Sequence, residues 1–109
     1  MAVDATPDTF RSLVAHGDVL IDFWGPRCQP CIALMPAVEA IETRYGARLR
    51  LVKVRAPENR VICRALRVLG LPTYVLYRDG SEVGRLTGDP TRADIEAAVE
   101  RLIAEGGGL

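Results

Sequence analysis

"VLIDFWGPRCQPC", residues 19–31, joins an apolar run to two cysteines three positions apart. Val19 to Trp24 is almost continuously apolar, with one acid, Asp22. That pattern suits a strand covered on both faces. Gly25 and Pro26 break the run, and the period then changes. Leu34, Val38, Ile41 and Tyr45 fall at i, i+4, i+7 and i+11, and Gly46 follows as a stop. The pattern predicts a helix from Cys28 to Tyr45, kinked by Pro36. The two thiols therefore stand where a buried strand hands over to a helix.

The same signals extend outward. Thr6-Pro7-Asp8 reads as an N-cap, a proline at the first helical position and a first-turn acid. Phe10, Leu13 and Val14 give that short helix its apolar face, and Gly17 ends it. Residues 2–5 add a weak edge strand. "LRLVKV" (49–54) reads as a strand, and "ENRVICRALRVLG" (58–70) as a helix with Val61, Ile62, Ala65, Leu66 and Leu69 on one face. "TYVLY" (73–77) and "VGRLT" (83–87) flank Asp79-Gly80, a hairpin signal. A last helix, 91–105, points Ile95, Ala98, Val99, Leu102 and Ile103 at the core. Strand–helix–strand alternation implies parallel pairs, and the hairpin adds an antiparallel one. The expected class is α/β: a central mixed sheet of four to five strands with helices on both faces.

The chain has 109 residues, 49% apolar and 26% charged, which fits one globular domain over 1–109 with a frayed end at 106–109. The formal net charge is +0, which excludes nucleic-acid or membrane-surface binding driven by bulk charge. No apolar run reaches the length of a membrane span. "MAVDATPDTF" lacks a basic patch followed by an apolar stretch, so no signal peptide is expected. A cytoplasmic, reducing setting follows as the expectation. There a close cysteine pair reads as catalytic or metal-binding.

A thiol attacks a disulfide only as the thiolate. Free amide groups and the dipole at a helix N-terminus stabilise that anion. Cys28, at the mouth of the helix, is the expected nucleophile. Cys31, one turn further in, is the expected resolving thiol. Pro30 suits the first turn and stiffens the bridge between them. Asp22, six residues ahead of Cys28 in a buried strand, should have a raised pKa. It could then accept and return the proton of Cys31. Lys53, on the adjacent strand, could tune it.

"VLIDFWGPRCQPC", a proline-containing helix, then "GLPTYVLYRDG" and a final "TG" before a helix together resemble the thioredoxin family over nearly the whole chain, Thr6 to about Ile103. The resemblance implies the thioredoxin fold and a thiol–disulfide oxidoreductase that reduces protein disulfides. It maps the family's cis proline beside the cysteines onto Pro72. The backbone of Leu71 could then pair with an extended substrate. Trp24 matches the tryptophan packed on the active-site loop, and Gly80 and Gly88 match glycines of the hairpin turn and the thiol surface. The implied partners are disulfide-containing proteins and an NADPH-dependent flavoprotein reductase that recharges a monomeric carrier. The sequence has no dinucleotide-binding glycine motif, so no cofactor or metal is expected on this chain.

The chain departs from the family pattern in three places. Arg27 stands where a tryptophan usually precedes the nucleophile. A cation there stabilises the Cys28 thiolate, implies a somewhat more oxidising disulfide and favours acidic partner surfaces. Gln29 replaces a glycine between the cysteines. Pro57 falls where an aspartate often holds the indole, which leaves the anchoring of Trp24 open.

Two other readings compete. Cys28, Cys31, Cys63 and His16 total four possible zinc ligands, though without a second close pair. A thioredoxin-like docking or specialised electron-donor protein with little general reductase activity would also fit Arg27 and Gln29. Cys63, beside Arg60, Arg64 and Arg67 on a helical wheel, is either a reactive thiol or an inert, partly buried one.

Overall fold

The computed structural model describes residues 2–106. Five strands form one mixed sheet: β1 (Val3–Asp4), β2 (Asp18–Trp24), β3 (Arg50–Arg55), β4 (Thr73–Arg78) and β5 (Ser81–Leu86), in the order β1-β3-β2-β4-β5. β1 and β2 run parallel to β3, whereas β4 is antiparallel to β2 and β5 to β4. The weak edge strand is β1, pairing Val3 with Val52 and Asp4 with Lys53.

Alternation along β2 sorts its side chains onto two cores. Val19, Ile21 and Phe23 join Val52, Val54, Val75 and Ile62 on one face. Leu20 joins Leu51, Tyr74, Val38, Ile41, Ile95 and Val99 on the other. Helices α1 (Phe10–Leu13) and α3 (Arg60–Ala65) cover the first face, and α2 (Gln29–Tyr45) and α4 (Arg92–Gly106) the second. Each large apolar side chain so enclosed contributes roughly 1.5–3 kcal/mol. By the same alternation, Asp22 and Trp24 share the α2/α4 side with Leu20.

The first helix begins later than its apparent signals. Thr6 and Thr9 exchange backbone-to-side-chain bonds of 2.9 and 3.3 Å. They close Pro7-Asp8 into a turn, and the helix starts only at Phe10. The helix expected over 58–70 is also cut down. A short 3₁₀ turn occupies Ala56–Glu58, and α3 stops at Ala65. Arg67 adopts φ +56°. Its amide donates to the Arg64 carbonyl at 3.1 Å, and the Val68 amide to that of Cys63 at 2.8 Å. These are the two bonds of a Schellman cap, built with arginine at the left-handed position that glycine usually fills. Leu69 consequently leaves the core face on which the helical wheel put it and is 97% exposed, and Val61 is exposed as well.

The hairpin turn is as read: Asp79 and Gly80 have φ of +50° and +85°, the left-handed pair of a type I′ turn. Thr91 and Asp94 form a reciprocal capping box at the start of α4. Gly106, expected in the frayed tail, is the last residue of α4, and 107–109 lie outside the described residues.

Candidate active site

The C-terminal end of β2 opens onto the two cysteines. Cys28 is extended (φ −94°, ψ 98°) and is the N-cap of α2, with Gln29 and Pro30 in the first turn. The Cys28 amide donates to the Gly25 carbonyl at 3.1 Å, fixing the intervening loop. The Ile32 amide donates to the Cys28 carbonyl, which starts the helix. Cys28 and Cys31 are joined in a disulfide with Cα atoms 5.2 Å apart. The Cys31 amide also donates to the Cys28 sulfur at 3.2 Å. The outer sulfur thus sits in the cap position, where orphan helix amides and the dipole favour negative charge. The two cysteines differ in access as expected: Cys28 is half-buried, while Cys31 is 1% exposed. Arg27, Gln29 and Pro30 are all exposed around Cys28.

Asp22 lies on β2 behind this mouth, 1% exposed, and neither carboxylate oxygen has a hydrogen-bond partner. Desolvation by burial pushes its pKa up to about 7, with Lys53 opposing the shift and Glu39 adding to it. Register explains the neighbours. Asp22 pairs across β3 with Lys53 and across β4 with Tyr74. The Lys53 ammonium does not bind Asp22 directly; it donates to Glu39 on α2 at 2.7 Å. Tyr74 is fully buried, and its hydroxyl is also unpartnered. Burial, with Asp22 beside it, holds that phenol neutral well above its ordinary range.

Trp24 is half-buried and its indole nitrogen has no partner. Pro57 offers none, as its lack of an acceptor side chain requires. Arg55, the register partner of Trp24, stacks its guanidinium 5.6 Å from the ring centre instead and pairs with Glu58 at 3.0 Å. Glu39, Arg55 and Tyr74 were not singled out from the sequence. Arg55 and Tyr74 become visible once register is known, because each stands opposite a residue that was. Glu39 depends on the rotation of α2.

The Leu71–Pro72 bond is cis. A Cβ added at Gly25 would lie 3.2 Å from the Leu71 side chain, so the active-site loop and the proline loop abut. Gly88, at φ +81°, lines the same cleft as Pro72.

The thioredoxin family profile matches residues 1–101. The chain is 41% identical over 99 residues to a thioredoxin from Acetoanaerobium sticklandii, covering 88% of this chain and 94% of that one. It is 35% identical over 106 residues to a thioredoxin from Peptoclostridium acidaminophilum, covering 94% and 96%. The chain belongs to the thioredoxin family. A solved structure of a mutant thioredoxin from Halobacterium salinarum superposes with a TM-score of 0.83 at 26% identity, covering 94% of this chain and 90% of that one. With its Cys28–Cys31 pair, the chain is a thiol–disulfide oxidoreductase of the protein-disulfide reductase type.

The zinc alternative is not favoured. Among the described residues, no group of three or more His, Cys, Asp or Glu could hold a metal, so Cys28, Cys31, Cys63 and His16 do not converge. Burial raises the pKa of the half-buried Cys63 thiol, partly offset by a backbone hydrogen bond. Among the described residues, no helix is long and apolar enough to cross a membrane.

Proposed function

We propose that Cys28 is the attacking sulfur, Cys31 the resolving one and Asp22 the group that takes up the Cys31 proton and returns it to a departing sulfur. In the reduced chain, the Cys28 thiolate attacks one sulfur of a partner's disulfide. A Cys28–partner bond forms, the partner's S–S bond breaks, and its other sulfur leaves as a thiolate. Cys31 gives its proton to Asp22, and its thiolate attacks the Cys28 sulfur. The intramolecular disulfide closes and the second partner thiolate departs. Two electrons have passed to the partner, and Asp22 returns its proton to a departing sulfur. A carboxyl with a pKa of about 7 is matched to that exchange at neutral pH. Lys53 and Glu39 set its poise from the helix side.

The observation that carries this reading is the asymmetry at the helix mouth. The accessible sulfur accepts a helix amide bond, while the other is sealed in the core. Trp24, Arg27, Gln29, Pro30 and Gly88 form the contact surface around it. Leu71 stands just outside β4 with no backbone partner among the described residues, so its backbone is open to an extended substrate segment. The electrons return from an NADPH-dependent flavoprotein reductase, and the chain works as a monomer in a reducing cytoplasm. The sequence has no dinucleotide-binding glycine motif, which supports an electron donor outside this chain.

The test is dithiothreitol-driven reduction of a disulfide-linked protein, repeated with a flavoprotein reductase and NADPH. Catalysis above the dithiothreitol background, abolished by Cys28→Ser, is expected. Wild-type rates equal to background would remove the reading.

A further inference from the structure

Leu69, Gly70 and Leu71 form a ridge between two clefts. One, of about 300 Å³, runs past Pro57 and Cys63 to Arg60. The other, of about 560 Å³, runs past Pro72 and Gly88 to Arg67 and Arg85. Leu71 at the end of the ridge touches the Gly25 position of the active-site loop. The ridge therefore leads away from the reactive disulfide, with Leu69 raised almost entirely into solvent.

The charges along the ridge are of one sign. Among the described residues, no acidic side chain lines either cleft. Arg85 is already engaged: it binds Glu82 at 2.8 Å and donates to the Leu66 and Arg67 carbonyls. Among the described residues, Arg60 and Arg67 have no carboxylate within ion-pair distance. Arg67 holds its long cation on a backbone at φ +56°, where glycine would sit without strain. The chain as a whole has net charge +0, so this polarity is local rather than a bulk excess. Local pairs act at contact, with little long-range steering.

We infer that this ridge selects its protein substrates by charge: Leu69 and Leu71 seat an extended, acidic segment beside the partner's disulfide, and Arg60 and Arg67 pair with carboxylates on its two sides. The inference rests on the redox reading above and deepens it by naming the class of substrate.

The test uses three synthetic peptides, each closed by one disulfide and identical except for flanks of aspartate and glutamate, of lysine, or of serine. Pre-reduced protein, freed of reductant, reacts with each in a single turnover at low and high sodium chloride. Two exposed charge pairs, each contributing a few-fold, predict that the acidic peptide is reduced about tenfold faster than the basic one near 50 mM salt. Screening should shrink the ratio to about twofold near 0.5 M. The double variant R60E/R67E should bring the ratio below one, whereas Arg101→Glu on α4 should leave it as in the wild type. Equal rates for acidic and basic peptides, with the serine peptide still reduced, would overturn the charge selection and leave the redox reading standing. Failure to reduce any of the three would overturn both. The salt dependence of the wild type decides the matter even if the double variant does not fold.

Discussion

Asp22→Asn should make the protein more stable at alkaline pH while making it a slower reductant. The carboxyl is buried without a hydrogen-bond partner, and its pKa in the folded chain is about 7 against an ordinary value of 3.8. The folded state therefore binds this proton more tightly than the unfolded state. Stability linked to Asp22 is fully present below about pH 4. It is lost as pH rises toward 7 and stays lost above. A shift of roughly three units corresponds to an upper bound of about 4 kcal/mol at pH 8.5, and about 1.5 kcal/mol of that is already lost at pH 5. Asparagine does not titrate. The advantage of the variant over wild type should thus grow by about 2.5 kcal/mol between pH 5 and pH 8.5. In urea this is a relative midpoint change of roughly 1.5–2 M at a slope near 1.5 kcal/mol/M. The assay is urea unfolding of the oxidised proteins at both pH values, alongside the rate at which the reduced proteins cleave a disulfide substrate. A variant advantage that is the same at both pH values would refute the buried-carboxyl argument. Unchanged reduction rates across pH would remove the proton-carrier role.

Lys53→Met should raise the apparent pKa of Asp22 above about 7 and Glu39→Gln should lower it, because the cation opposes the shift and the carboxylate adds to it; carbon-13 titration of the Asp22 carboxyl reads both, and movement in the reverse sense would break the assigned couplings. Arg67→Gly should stabilise the fold by about 1 kcal/mol, or raise Tm by roughly 4 °C, by relieving the left-handed strain in the α3 cap. A destabilised variant would show that the arginine side chain holds the cap. Tyr74→Phe should also stabilise, by about 1 kcal/mol, because the hydroxyl it removes is buried and unpartnered; a loss of 2 kcal/mol or more on thermal unfolding would mean that the hydroxyl is satisfied in solution.

The legible parts of this fold were those written in periodicity. The two-sided apolar run of β2, the i, i+4, i+7, i+11 spacing of α2 and the Asp79-Gly80 turn each specify their element locally, and the structure follows them. The misreadings came where two local signals competed. Leu66 and Leu69 extend the apolar spacing of α3, yet the chain turns left-handed at Arg67, a residue that carries no cap signature, and Leu69 goes to solvent. Thr6-Pro7-Asp8 imitates a helix start, but the Thr6–Thr9 bonds make it a turn. At the site, Cys28, Cys31, Asp22 and Pro72 could be found from spacing and resemblance. Tyr74, Arg55 and Glu39 could not, because a tyrosine in a strand, an arginine at a strand end and a glutamate on a helix say nothing until register and helix rotation set them against Asp22, Trp24 and Lys53.

The division of labour between the two sulfurs is tested most directly by trapping. Reduced Cys31→Ser protein, mixed with a disulfide-bearing protein at neutral pH, should accumulate a covalent adduct through Cys28, visible on a non-reducing gel and released by dithiothreitol. Cys28→Ser, compared in a Cys63→Ser background, should form none, because its remaining thiol, Cys31, is sealed beneath the helix mouth. Adducts of equal yield from both variants, or an adduct only through Cys31, would contradict the account.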